Sequence, residues 1–158
     1  MNKLWLRFAL CVYALLYAVL LPLFLGIEDS YSDYHVVEPV LFPLATIGVS
    51  FGLWMHKEIQ WKISAVLLII IALFNVADWP VIHNTAAILF FINSTYIMVK
   101  DKRFKIFGIL SLLIYPLLLI NSNYYLFLFE VFQIPILASY HFYRVLTSHN
   151  LLFPVIRI

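Results

Sequence analysis

Six apolar runs, divided by short polar breaks, constrain this chain more than any other feature. They cover residues 4–26, 36–55, 59–77, 79–99, 104–121 and 124–146. A helix needs about 20 apolar residues to cross roughly 30 Å of hydrocarbon, and each run is close to that length. The breaks are costly to leave in lipid: residues 28–33 read Glu-Asp-Ser-Tyr-Ser-Asp, 56–58 read His-Lys-Glu and 100–103 read Lys-Asp-Lys-Arg. Inside a bilayer the backbone must satisfy its own hydrogen bonds, which leaves helices as the economical choice for runs of this length. The sequence therefore predicts an all-α polytopic transmembrane bundle of six spans, a single domain over 1–158 with no room for a separate soluble one.

Charge placement tests that topology independently. With the N-terminus on the cytoplasmic side, the inner segments hold Lys3, Arg7, Lys57, Lys62, Lys100, Lys102, Arg103, Lys105, Arg144 and Arg157, which is all ten basic residues. The outer segments 27–38, 77–83 and 120–124 hold none. Basic residues favour cytoplasmic loops, so both termini are expected inside. Trp5, Trp54, Trp61 and Trp79 fall near span ends, as an interfacial aromatic belt requires. Pro43, Pro116 and Pro135 lie within spans, where each frees a carbonyl and favours a kink. Asp78-Trp79-Pro80 reads as a helix start, with Asp78 as cap and Pro80 in the first turn.

Composition excludes several classes. The chain is 65% hydrophobic and 11% charged, with a mean hydropathy of +0.98. Soluble domains run at about 45–50% apolar and about 25% charged. No basic stripe interleaved with aromatics exists outside the loops, which argues against nucleic-acid binding. Cys11 is the one cysteine, so no internal disulfide can form. The first apolar run is longer than a secretory signal core and lacks a small-residue cleavage site, so it reads as a retained helix. No serine sits in a G-x-S-x-G elbow. Gly48 and Gly52 form a small-xxx-small pair suited to close helix packing, within the bundle or in a dimer.

Polar residues concentrate toward the outer side. Glu28, Asp29, Asp33, Glu38 and Asp78 lie there with His35, His83 and Asn84. Glu130 lies about two turns into the last span, with Gln133 one turn further on. A carboxylate at that depth is expensive and is expected to face the bundle interior. Two readings hold for Glu130: a site residue (metal ligand, proton carrier or general acid/base), or a protonated side chain bonded to a neighbouring helix. Asp78 is read as a cap or a site residue, and His83 as an interfacial hydrogen-bonder or a ligand-binding group. A metal such as zinc would need His35, Glu38, His83 and Glu130 to converge from different helices. His141 and Arg144 are expected to reach inner headgroups.

The residues Ser32-Asp33, Glu38-Pro39 with Phe42, and His83-Asn84-Thr85-Ala86-Ala87-Ile88-Leu89-Phe90-Phe91 resemble the DRAM/Sfk-type six-helix membrane family, which includes GPI-lipid-remodelling relatives. The resemblance runs from Leu4 to Leu146. The chain departs from the family in reading Glu-Pro where the pattern is Pro-Glu, and in its shorter loops. It implies a role in handling membrane lipid and draws interest to Asp33, Glu38 and His83.

These readings favour a multi-pass protein of the plasma or inner membrane, with an outer-leaflet polar site that binds or handles lipid. Lipid or substrate contacts are expected from Asp33, His35, Glu38, Asp78, His83, Asn84, Glu130 and Gln133. Two alternatives stay open. One is a non-catalytic accessory subunit, held by a membrane partner or a second copy. The other is a metal-dependent hydrolase of lipids, with Glu130, His83 and Glu38 as catalytic candidates.

Overall fold

The computed structural model describes residues 33–37, 39–120 and 123–148, with Leu6, Ala9, Leu10, Val12, Tyr13, Ala14, Leu16, Tyr17, Leu20, Leu23 and Phe24. Every regular element among them is helical, as expected. After the helical residues between Leu6 and Phe24, the elements are α1 (Tyr34–Val37), α2 (Leu41–Trp54), α3 (Ile59–Leu73), α4 (Pro80–Lys100), α5 (Lys105–Ile114), a 3₁₀ segment (Tyr115–Leu119) and α6 (Asn123–Ser148). Consecutive helices pack on one another and α4 also touches α6, giving an antiparallel bundle.

Local chemistry sets these boundaries. Helix α2 begins late enough that Pro43 falls in its first turn, where no intrahelical donor is needed, so the kink expected there has no cause. Pro116 opens the 3₁₀ segment that ends α5, and Pro135 lies inside α6. Pro80 starts α4, as its position before a long apolar run predicts. The Asp78 cap is not made. Trp79 is the N-cap residue, without a side-chain bond. Asp78 instead bonds Asn75, whose Oδ1 accepts its backbone N–H and whose Nδ2 donates to its carboxylate, both at 2.7 Å. That closes the turn between α3 and α4 and ends α3 at Leu73, short of the run 59–77.

Among the described residues one helix, α4, is long and apolar enough to cross a membrane. Helices α2 and α3, of 14 and 15 residues, are apolar but shorter. The 26-residue α6 is long but carries Glu130, Gln133, His141 and Arg144.

The main core joins Leu53, Trp61, Ala65, Leu68, Phe90, Met98, Leu137 and Tyr140, from α2, α3, α4 and α6. Small polar residues stitch it. Ser50 donates to the Ala65 carbonyl at 2.7 Å, Ser64 and Ser94 meet at 3.3 Å, and Asn93 donates to the Gln60 carbonyl and Ser64 Oγ. Gly52 faces the Leu10 side chain, so the small pair in α2 packs within the bundle. Gly108 lets α5 approach α4 backbone to backbone: a Cβ there would lie 2.7 Å from the Met98 carbonyl carbon.

Candidate functional site

A cavity of about 150 Å³ lies between the N-terminal segment, α2, α3, α4 and α6. Its wall runs along α2 from Phe42 to Leu53 and on to His56, and along α6 from Glu130 to Val145. At 1.5 Å per residue that is roughly 20 Å, so the space is long and narrow. Most of the wall is apolar, from Leu10, Ala14, Ala87, Phe90, Leu137 and Ala138 among others. Glu130, 6% exposed, reaches the wall on its Asn123 side, and His56 and His141 reach it near the other end. Thr46 also lines it, with its hydroxyl turned to the Phe42 carbonyl at 2.9 Å.

Gln133 does not share this cavity. It is fully buried and donates to Ser111 Oγ at 2.5 Å and to Thr95 Oγ1 at 3.1 Å. Thr95 in turn meets Ser111 at 2.5 Å and the Tyr115 hydroxyl at 3.1 Å. Three residues along α6 separate Glu130 from Gln133, enough rotation to put one on the cavity and the other in a hydroxyl network with α4 and α5. Both are buried, in two environments.

At the Pro80 end of α4, three predicted residues come together. His83 is fully buried, and its Nδ1 lies 2.6 Å from the Phe74 carbonyl. A carbonyl only accepts, so Nδ1 carries the proton and donates. Asp33, half-buried, acts on His83 by charge. His35 is buried and stacks on Phe42 at 5.5 Å between ring centres. Burial, and then the neighbouring His83, hold the His35 imidazole below its ordinary value of 6.5. Phe42 lines the cavity, so this cluster abuts one end of it. Asn84 is exposed, and Asp78 is exposed in its turn. Glu38 lies outside the described residues. Among the described residues no group of three His, Cys, Asp or Glu side chains is placed to hold a metal ion, and His35, His83 and Glu130 do not form one.

The Lys100 end gathers His141 and Arg144, which the sequence singles out as reaching headgroups, with His56, Glu58, Asp101 and Tyr140. His56 and His141 stand 5.0 Å apart between ring centres, and His141 packs edge-on against Trp61 at 4.3 Å. Arg144 bonds Glu58, and its Nε lies 4.0 Å from Asp101. Tyr140 donates to Asp101 at 2.8 Å. Burial pushes the Glu58 carboxyl up, but bonds from its own backbone N–H and from Arg144, with the charges of Arg144 and His56, outweigh that and hold it below 4.5. His141 and Arg144 therefore sit in a packed network and do not simply extend to headgroups. Their signal in the sequence was the i, i+3 spacing of His141 and Arg144. The partners Glu58 and Asp101 are far away in the chain.

No family model, curated protein or solved structure matches the chain.

Proposed function

We infer that this is a multi-pass membrane protein that holds one apolar chain of a lipid in the cavity between its helices. The observation that carries the reading is the cavity itself: long, narrow, apolar, with one carboxyl, Glu130, among the described residues that line it. Half of a roughly 30 Å hydrocarbon layer is about 15 Å, the reach of one acyl chain, which a slot of roughly 20 Å accommodates. The exterior supports immersion in lipid. Val81 is 78% exposed and Leu119 86%, amid many other exposed Leu, Ile, Val and Phe side chains. So much apolar surface on one small bundle marks a membrane or partner contact.

On this reading the Lys100 end is cytoplasmic and the Pro80 end faces out, in a six-span layout with both termini inside. The complete one-sided distribution of basic residues supports it. Asp33, His35 and His83 then form the outer polar site beside the cavity. The resemblance to DRAM/Sfk-type proteins points to the same class of ligand.

The test is mass spectrometry of small molecules extracted from protein purified in mild detergent, wild type against Ala138→Phe. Ala138 is buried on the cavity wall, and a phenyl ring there fills the slot. The wild type is expected to carry a long-chain lipid in near-stoichiometric amount, and a folded Ala138→Phe to have lost it. Wild-type protein free of apolar ligand, or a variant that retains it fully, overturns the reading.

A further inference from the structure

The turn between α4 and α5 carries cations that have no acid to meet. Lys100, Lys102, Arg103 and Lys105 are all exposed, and among the described residues no carboxylate forms an ion pair with any of these side chains. Asp101, the one acid of the turn, is taken up by α6: Tyr140 donates to it at 2.8 Å, and Arg144 Nε lies 4.0 Å away. A groove begins beside these cations. Helix α5 touches the α4 backbone at Gly108, next to Val99. Beside that contact a space of about 320 Å³ lies between Ile92, Tyr96 and Val99 of α4 and Leu112 of α5, with Thr95 and Tyr115. It is on the outside of the bundle, since Ile92, Tyr96 and Leu112 are each about half exposed. The Thr95 hydroxyl bonds Ser111 and the Tyr115 hydroxyl, so the polar atoms here are already paired and the groove offers a guest chiefly carbon. On α4 it covers roughly 10 Å at 1.5 Å per residue, and Lys100 follows directly. The Lys100 ammonium stands over the Tyr96 ring, 4.5 Å from its centre.

We propose that this groove seats an acyl chain of an anionic phospholipid, whose phosphate rests on Lys100 and its neighbours Lys102, Arg103 and Lys105. Ammonium and guanidinium groups meet phosphate oxygens in charge-assisted bonds, and a basic cluster just cytoplasmic of an apolar helix suits anionic lipid. A zwitterionic head carries its own cation and gains less from the cluster. The site is separate from the cavity. It rests on the reading that the helices are immersed in lipid, not on what the cavity holds.

The experiment is native mass spectrometry of full-length protein in a neutral detergent, titrated with phosphatidylglycerol or with phosphatidylcholine of the same chains. A cation close to anionic lipid adds about fivefold to affinity, so two of the four on one headgroup, partly screened by salt, give about tenfold. Phosphatidylglycerol is expected to bind about tenfold tighter than phosphatidylcholine. Joint substitution of Lys100→Gln, Lys102→Gln, Arg103→Gln and Lys105→Gln is expected to bring it down to the phosphatidylcholine level. The pair Lys57→Gln and Lys62→Gln, in the α2–α3 region, is expected to keep the preference. Leu112→Trp fills the groove from an exposed position and is expected to weaken phosphatidylglycerol about tenfold. Equal binding of the two lipids by the wild type overturns the proposal. So does a preference that survives the four substitutions, or one lost equally in the Lys57 and Lys62 pair. Wild-type affinity in Leu112→Trp removes the chain from the groove and overturns the site. Protein that stays monodisperse in buffer without detergent defeats the membrane reading and this site with it, whereas detergent-dependent protein without the preference defeats this site alone.

Discussion

At the Lys100 end, hydrogen bonds and ion pairs join residues far apart in the chain. Glu58 and Arg144 are 86 positions apart, and Asp101 and Tyr140 39 apart. At the Pro80 end the reach is shorter: His83 bonds Phe74 nine positions back, and Asn75 bonds Asp78 within one turn. Asp33 and His35 are also coupled to His83 by charge. Backbone packing follows the same division. Near Lys100, Gly108 lets α5 press on α4, whereas toward the other end α5 gives way to a 3₁₀ segment. Among the described residues, the Lys100 end is tied by bonds between helices, and the bonds of Asn75, Asp78 and His83 close the connection between α3 and α4.

The largest test of that contrast is Gly108→Val. Its Cβ would meet the α4 backbone at Met98 and Val99, which no flexible side chain can relieve. Forcing atoms into such a contact costs about 3 kcal/mol. The expected outcome is a corresponding loss of stability in detergent-based unfolding, larger than for Gly48→Ala, whose Cβ among the described residues meets Leu10 and Tyr13 side chains at 4.0 Å. Equal stability of the two variants would break the idea of a pinned end.

Arg144→Met comes next. It removes the one cation that bridges Glu58 and Asp101 and leaves Asp101 to Tyr140. Arg144 is partly exposed, at 27% for its side chain, so the loss falls between that of a surface pair and a buried one, about 2 kcal/mol. The matching change at the other end, Asp78→Ala, sits on an exposed turn and is expected to stay within about 0.5 kcal/mol. Unfolding of the two variants side by side checks both. An Asp78→Ala loss equal to that of Arg144→Met would erase the difference between the ends.

Much of the helical architecture was legible in the sequence, because apolar runs and polar breaks register at short range. Pro80 marks the start of α4, and Lys100-Asp101-Lys102-Arg103 marks its end. The lengths of the other helices were less legible. Asn75 and Asp78 close a turn that only their mutual bonds reveal, and Pro43 reads as a mid-span kink until α2 is seen to begin at Leu41. The site was half legible. Glu130 stands out as a lone carboxyl in an apolar run, and Asp33, His35 and His83 as polar residues on the outer side, though the sequence does not say which of them meet. The grouping of His56 with His141 was not readable, since 85 residues and a full reversal of the bundle separate them. Glu130 and Gln133 are both buried, as an inward-facing pair requires, but helical spacing says only that two residues are near, not which neighbouring helix each one meets.

The smallest effect separates the ends by pH. His35 has a folded pKa below its ordinary 6.5, so the folded state prefers it neutral. Its stabilisation is complete above 6.5 and declines as pH falls below that value through the lowered one. Glu58 has a folded value below 4.5, so its contribution is complete above 4.5 and is lost only in stronger acid. Acidification from neutral should therefore loosen the Pro80 end first. Hydrogen exchange, corrected for the intrinsic effect of pH, is expected to rise in Tyr34–Val37 between pH 6.5 and 5 while Ile59–Trp61 stays protected. His35→Gln should remove that early rise, because an amide does not titrate. Simultaneous loosening at both ends would mean that they behave as one cooperative unit.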